Sequence, residues 1–444
     1  MIRLIKNTEN LLSSFEKKIA LLKSTDHLIS FYKDFITRYK ALDAEFKFTE
    51  YFDEEYVFQQ LRRDFGESSC PLRALPIGIK DVFNTRVLPT SMGSELWKGF
   101  RAGNNARIVD QIINNGGIVF SKTTTAEFAV HFISPEKTLN PYNKNHITGT
   151  SSSGSAVAVA CGALPVALGT QTAGSIIRPA SFCGVYGFKP SFGAIDRTGV
   201  LKTNDTFDTI GFLGSDSKGL AKMLLACLTK GKDYPYSNNY FSFFNSYKRK
   251  NTTDLKVGFV TDCFQGFSSY SDYVKNDFNE VAGKISKNFN AQYLSNVSFI
   301  NSIHAIHELM YAKSLSYYFK NEMRQHDHVS EVMTAMIRRG EKHSEKEYIE
   351  ASKKQPVLRK DFDLAFEKYD FLITPSTATA APLIGEWEQP DTCLIWTFFG
   401  YPAINIPLFF NPELNLPYGL QIVAKKFDDF SLLDFADRVE KLFV

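Results

Sequence analysis

Apolar residues recur every three or four positions at the start of the chain. Leu11, Leu12, Phe15, Ile19 and Leu22 form one such row with charges between them, and similar rows cover residues 28–39 and 54–65. That spacing is the helical period, so residues 1 to about 66 are expected to be helical. From Leu72 the pattern changes, and short apolar runs ending in Gly, Pro or Thr alternate with helical rows. Residues 74–79 read as a strand that delivers Lys80 at its end. Residues 109–115 read as a helix stopped by Gly116-Gly117, and 118–120 as the next strand. Further strands are expected at 166–168, 185–188, 257–260, 371–374, 403–406 and 420–423. Strands alternating with helices predict an α/β fold with helices packed on a sheet. Residues 230–255 are polar and aromatic and read as a surface connection. Residues 300–368 are helical and heavily charged, a pattern expected of a solvated face.

Composition narrows the class. The longest apolar run, Ala156 to Leu168, is interrupted by Gly162 and Pro165. It falls short of the ~20 residues a membrane span needs, so it reads as core. A hydrophobic share of 44% with 22% charged residues excludes disorder for most of the chain. Lys and Arg number 51 against 48 Asp and Glu, a net charge of +3, which gives no reason to expect nucleic acid or an anionic membrane. The six cysteines (Cys70, Cys161, Cys183, Cys227, Cys263, Cys393) form no CxxC and read as reduced thiols. The first residues lack the apolar stretch of a signal peptide, and a cytoplasmic location is expected. A length of 444 residues admits two or three domains or one large α/β unit.

One segment stands out, because residues 149–193 are unusually dense in Gly, Ser and Ala. It opens with GTSSSGS at 149–155. A linker would not lead directly into a core run. A phosphate loop has the right glycine spacing, but Ser155 stands where lysine is required. Serines at a helix N-terminus, beside free backbone N–H groups, are the third reading. The second half, GTQTAGSIIRP at 169–179, places small residues before Ser175. They let successive amides approach a ligand as an oxyanion pocket requires, although a tight turn without chemistry fits the fragment equally well.

A serine nucleophile needs a base. The eight histidines (His27, His131, His146, His304, His307, His326, His328, His343) show no assignable spacing, and no G-x-S-x-G elbow is present. His304-x-x-His307 and His326-Asp327-His328 are expected on the surface or in packing. Ser14-x-x-Lys17 falls inside a helical row, and H-E-x-x-H metal spacing is absent. Lysine remains. Lys80, at the end of an apolar strand, is expected to be partly desolvated, which lowers an ammonium pKa.

The chain from about 70 onward resembles the amidase signature enzymes, serine hydrolases of amide bonds. The resemblance is carried by the ordered run at 149–193, by LPIGIKD at 75–81, by GIVFSKTTTAEF at 117–128, and by LITP at 372–375 and GYPA at 400–403. It implies a single large mixed β-sheet flanked by helices on both faces. Residues 67–444 would form the catalytic domain, and residues 1–66 a helical N-terminal segment packed on it. It implies a Ser–cis-Ser–Lys triad with Ser175 as nucleophile, Ser151 as bridge after a cis Thr150–Ser151 peptide, and Lys80 as base. The oxyanion would be held by backbone N–H groups of Thr172, Ala173, Gly174 and Ser175. Thr150, Ser152, Gln171 and Arg178 would support the site. No cofactor and no metal are implied.

Many family members have Asp at the place of Gln171, Gly at that of Ala173 and Arg at that of Ile177. These departures, with Trp396-Thr397 before the GYPA turn, resemble stand-alone amidases more than the A subunit of the glutamyl-tRNA(Gln) amidotransferase. The expected substrate is a small-molecule amide, with no nucleic acid, no membrane and room for a homodimer. The glutaminase A subunit is the first alternative, and a non-catalytic binding protein on the same fold is the second. Residues 215–365 are expected to wall the pocket, with Tyr311, Arg338 and Arg339 as candidates to face it.

Overall fold

The structure, a computed structural model, describes residues 11–22, 24–63, 70–131, 137–228, 255–261, 265–294 and 297–443, with the side chain of His326 left out. Nearly all of the surface connection expected at 230–255, the His326 side chain and Cys263 therefore lie outside the described residues.

Eleven strands form one sheet in the order β1-β3-β2-β4-β6-β5-β10-β11-β9-β7-β8. Their ranges are β1 Thr49–Phe52, β2 Pro76–Lys80, β3 Ile118–Thr123, β4 Val166–Gln171, β5 Tyr186–Lys189, β6 Thr209–Gly214, β7 Lys256–Phe259, β8 Asn290–Tyr293, β9 Phe371–Pro375, β10 Ala403–Asn411 and β11 Leu416–Ala424. β2 runs parallel to β3 and β4, and β7 runs parallel to β8 and β9. The remaining pairs are antiparallel, so the sheet is mixed. β2, β3, β9 and β11 are buried along their whole length, which is why their sequences read as apolar runs rather than alternating ones.

Helices cover both faces of the sheet. The helix Ser153–Ala160 packs on β2, β3, β4 and β6, and Ile177–Phe182 packs on β5, β10 and β11. The helices Ser217–Cys227 and Asp429–Glu440 pack on each other and on β6, β10 and β11.

The N-terminal segment carries the expected helices and one strand that the apolar rows did not announce. Helices Leu11–Leu21, Thr25–Phe46 and Glu54–Leu61 carry the three apolar rows, but β1 lies between the second and third and pairs with β3. Leu12, Phe15, Ile19, Tyr32 and Tyr39 are buried, and Tyr32 Oη donates to Ala74 O, just ahead of the strand that carries Lys80.

The 300–368 region holds the helices Ile303–Tyr318, Glu331–Glu341 and Glu345–Phe366. The last fits a solvated charged face. The first does not, because Ile303, His307, Met310, Tyr311, Ala312, Ser314 and Leu315 are all buried. No described helix is long and apolar enough to cross a membrane.

Candidate active site

One strand end and two turns meet near the ends of β2 and β4. β2 ends in Lys80, and Ser151 lies in the turn that starts the helix Ser153–Ala160. β4 runs into the turn 172–176, which carries Ser175 and leads into the helix Ile177–Phe182. Lys80 Nζ lies 2.7 Å from Ser151 Oγ and 2.8 Å from Thr170 Oγ1. The Thr150–Ser151 peptide is cis. Ser152 Oγ donates to Thr170 O at 3.3 Å, tying the serine turn to β4. Ser175 is 8% exposed and faces a cavity of about 300 Å³.

Lys80 is fully buried, and loss of hydration pulls its pKa well below the usual lysine value. The Asp208 carboxylate pulls partly the other way. Asp208 itself is held in a closed network. It accepts from Thr172 Oγ1 at 2.6 Å, from Thr203 Oγ1 at 2.7 Å, and from the backbone N–H groups of Thr203 and Asn204 at 2.8 and 3.0 Å. Arg197 lies 3.6 Å away.

The turn before Ser175 is fastened at several points. Gln171 Oε1 accepts from the N–H groups of Ile176 and Ile177 at 2.7 and 3.0 Å, and its Nε2 donates to Thr397 Oγ1 at 2.9 Å. A neutral amide here both accepts and donates, which a carboxylate would not do. A Cβ at Gly174 would stand 2.8 Å from Arg178 Nη2 and 2.9 Å from its Cζ, so a side chain there would have to displace the guanidinium from its two carboxylates.

Arg178 lines the same cavity as Ser175 and is held there by two carboxylates. Its Nε donates to Asp391 Oδ2 at 2.8 Å and its Nη1 to Glu388 Oε2 at 2.6 Å. Burial opposes its charge, but the two carboxylates outweigh that cost and hold its pKa above the ordinary arginine value. Glu388 Oε1 also accepts from Thr150 N at 3.3 Å, so one carboxylate touches both the Arg178 helix and the serine turn.

The cavity wall is mixed, combining Trp387, Tyr311, Met336 and Leu394 with the charged side chains of Arg178, Arg339, Glu388 and Asp391. Of the side chains expected to face it from the variable region, Tyr311 and Arg339 line it, whereas Arg338 is exposed on its helix and does not. Arg339 pairs with Glu308 at 3.0 Å.

Sequence reasoning missed several neighbours. His131 Nδ1 lies 2.6 Å from Thr150 Oγ1, and its ring stacks on Trp387 at 5.1 Å. His307 is packed, and its Nε2 lies 2.8 Å from Thr172 O; His304 Nε2 lies 3.0 Å from Asp391 O. Asp208 and Thr397 were equally unassigned as site residues. The His304-x-x-His307 spacing does put both rings on one helix face, but nothing in the sequence says what that face meets. Among the described residues, no cluster of three or more His, Cys, Asp or Glu could hold a metal ion.

A family model described as Amidase matches residues 32–433, and the chain belongs to that family. It is 30% identical to the A subunit of the glutamyl-tRNA(Gln) amidotransferase of Halothermothrix orenii, over 88% of this chain and 91% of that protein. Its structure is similar to that of the peptide amidase from Stenotrophomonas maltophilia, with a TM-score of 0.81 at 21% identity over 99% of this chain and 98% of that one. It is also similar to the A subunit of the glutamyl-tRNA(Gln) amidotransferase of Thermotoga maritima, with a TM-score of 0.77 at 22% identity over 99% and 96% of the two chains. The fold is that of the amidases, and the chain is an amidase acting on carbon–nitrogen bonds.

Proposed function

We propose that the chain hydrolyses a carboxamide through Ser175, Ser151 and Lys80. The observation that carries this reading is the buried, charge-averse Lys80 amine 2.7 Å from Ser151, beside a turn whose Ala173 and Gly174 amides meet no backbone acceptor among the described residues. Neutral Lys80 keeps a lone pair for the Ser151 proton while one of its N–H groups stays on Thr170. Ser151 in turn takes the proton of Ser175 as Ser175 Oγ bonds to the amide carbon. The carbonyl oxygen becomes an anion held by the backbone N–H groups of Thr172, Ala173, Gly174 and Ser175. The proton returns along the same path to the nitrogen as the C–N bond breaks, releasing ammonia or an amine. Water, deprotonated by the same relay, then cleaves the acyl-enzyme. Ser152, Gln171, Arg178 and Thr150 hold the two turns in place.

Near full-length similarity to amidotransferase A subunits supports glutamine as the amide and a multi-subunit complex as the setting. That reading is better supported by the relatives than a stand-alone amidase. The stand-alone reading rests on Gln171, Ala173 and Ile177, where the sequence departs from the family pattern, and on the neutral Gln171 clasp that follows from the first of these.

The test is a mass-spectrometric panel of amides and esters that includes glutamine, run on the purified chain with Ser175→Ala as control. Glutamine hydrolysis only in the presence of a stoichiometric partner supports the amidotransferase reading. Hydrolysis of other amides by the chain alone supports the stand-alone reading. Turnover that survives Ser175→Ala rejects the shared mechanism.

A further inference from the structure

The carbonyls on the back of the turn before Ser175 are all anchored. Thr172 O lies 2.8 Å from His307 Nε2, Ala173 O accepts from Thr397 Oγ1 at 2.7 Å, and Gly174 O accepts from the Arg178 backbone N–H at 2.8 Å. A carbonyl only accepts, so His307 carries its proton on Nε2.

Each peptide unit here is planar and trans, so a carbonyl and the N–H that follows it point in opposite directions. Anchoring Thr172 O therefore aims the Ala173 N–H, and anchoring Ala173 O aims the Gly174 N–H. Among the described residues, neither N–H meets a backbone acceptor. Thr172, Ala173 and Ser175 line the cavity.

The Gly174 anchor is an ordinary first-turn helix bond that any sequence would supply. The other two are side chains brought from distant elements, the helix Ile303–Tyr318 and the helix Cys393–Phe399. We propose that His307 and Thr397 are positioning residues that aim the Ala173 and Gly174 amides at the oxyanion. The inference rests on the hydrolytic reading above and assigns to two further side chains the orientation of its anion donors.

The surroundings of His307 suit that task. Its ring stacks on Phe207 at 4.5 Å and lies 5.7 Å from Tyr311, contacts that favour its present orientation. Burial pulls its pKa down to about 4, which keeps the imidazole neutral with one proton to give. The Thr172 hydroxyl is held separately by Asp208. Loss of the His307 bond therefore frees the peptide plane while leaving the cavity wall in place, so the effect belongs to the reacting step rather than to binding.

The test needs no knowledge of the substrate. Labelling of the full chain by an alkyl fluorophosphonate, which also builds negative charge on an oxygen beside Ser175, is followed over time and split into kinact and KI. Removing a complete oxyanion donor costs about 10²–10³-fold, so a re-aimed donor is expected to cost about 10–100-fold. His307→Phe keeps the stack and removes the donor, and should lower kinact by that factor with KI within about twofold. Thr397→Val should show the same split, and Thr397→Ser, which keeps the hydroxyl, should restore kinact. The Thr397 pair carries the test if His307→Phe does not fold. Wild-type kinact in both donor-less variants, or losses confined to KI, overturns the inference. Ser175→Ala labelled at the wild-type rate overturns the hydrolytic reading instead.

Discussion

Lys80 Nζ lies 2.7 Å from Ser151 Oγ although 71 positions separate the two residues in sequence. An amine in that place serves as a base only when it is neutral, and burial supplies the bias toward the neutral form. The sign of the pH dependence follows. A folded pKa below the usual lysine value of ~10.4 means that kcat/KM rises with pH through that lowered pKa and is level above it. A rate that falls through neutral and mildly alkaline pH, with the fold intact, contradicts the assignment. Asp208→Asn removes the charge that holds the pKa up, so the rising limb should move to lower pH. Lys80→Ala should cost about 10²–10⁴-fold, the usual range for a proton-transferring side chain.

The Arg178 pairs predict a stability effect. The side chains of Arg178, Glu388 and Asp391 are 15%, 6% and 1% exposed. Arg178→Leu leaves two buried carboxylates without their cation, at an expected cost of about 3–5 kcal/mol. Thermal unfolding should show a marked fall in midpoint, and the triple variant Arg178→Leu, Glu388→Gln, Asp391→Asn should regain most of it. An unchanged midpoint in the single variant rejects the account.

A second buried pair sits next to Lys80. Lys122 Nζ lies 2.8 Å from Asp81 Oδ1 with both side chains fully buried, and it donates to Phe83 O, Pro89 O and Thr90 Oγ1. Lys122→Met should destabilise by about 3–5 kcal/mol, because Asp81 keeps its burial and loses its counter-charge. Since Asp81 follows Lys80 directly, the variant should also lower kcat. Retained stability together with retained kcat would show that the pair fixes nothing.

Trp387 is 59% exposed yet stacks on His131 at the cavity wall. An aromatic contact of this kind contributes about 0.5–1.5 kcal/mol. Trp387→Ala should therefore raise KM about 2–10-fold for aromatic amides and less for small aliphatic ones. Equal changes for both classes, measured on the same amide panel, would remove Trp387 from the substrate's path.

The parts legible in the sequence were those written in apolar periodicity or in local motif. β2, β3, β4, β9, β10 and β11 appear as apolar runs, though several extend further than expected. β1 and β8 were missed, and they are the two edges of the sheet. β8 reads NAQY and is largely exposed, so it has no apolar signal to detect. β6 lies in the middle of the sheet and was also missed; its short apolar run is interrupted by Gly211. In the fold a Cβ there would stand 2.2 Å from Phe188 O, so glycine marks a close strand approach. The site divides the same way. Lys80, Ser151 and Ser175 sit in recognisable local runs, whereas Asp208, His307 and Thr397 reach the turn only through the sheet order and the packing of two helices.

The helix Ile303–Tyr318 supplies Tyr311 to the cavity wall and, one turn earlier, His307 to the back of the Ser175 turn. The region expected to select the substrate is thus physically joined to the turn that carries Ser175. A graft of this helix from a relative would carry its own carbonyl anchor, or lack of one, along with its pocket residues. On the hydrolytic reading proposed above, substrate preference and turnover are then inherited as a unit, and redesign of one has to begin by preserving the hydrogen bond behind the other.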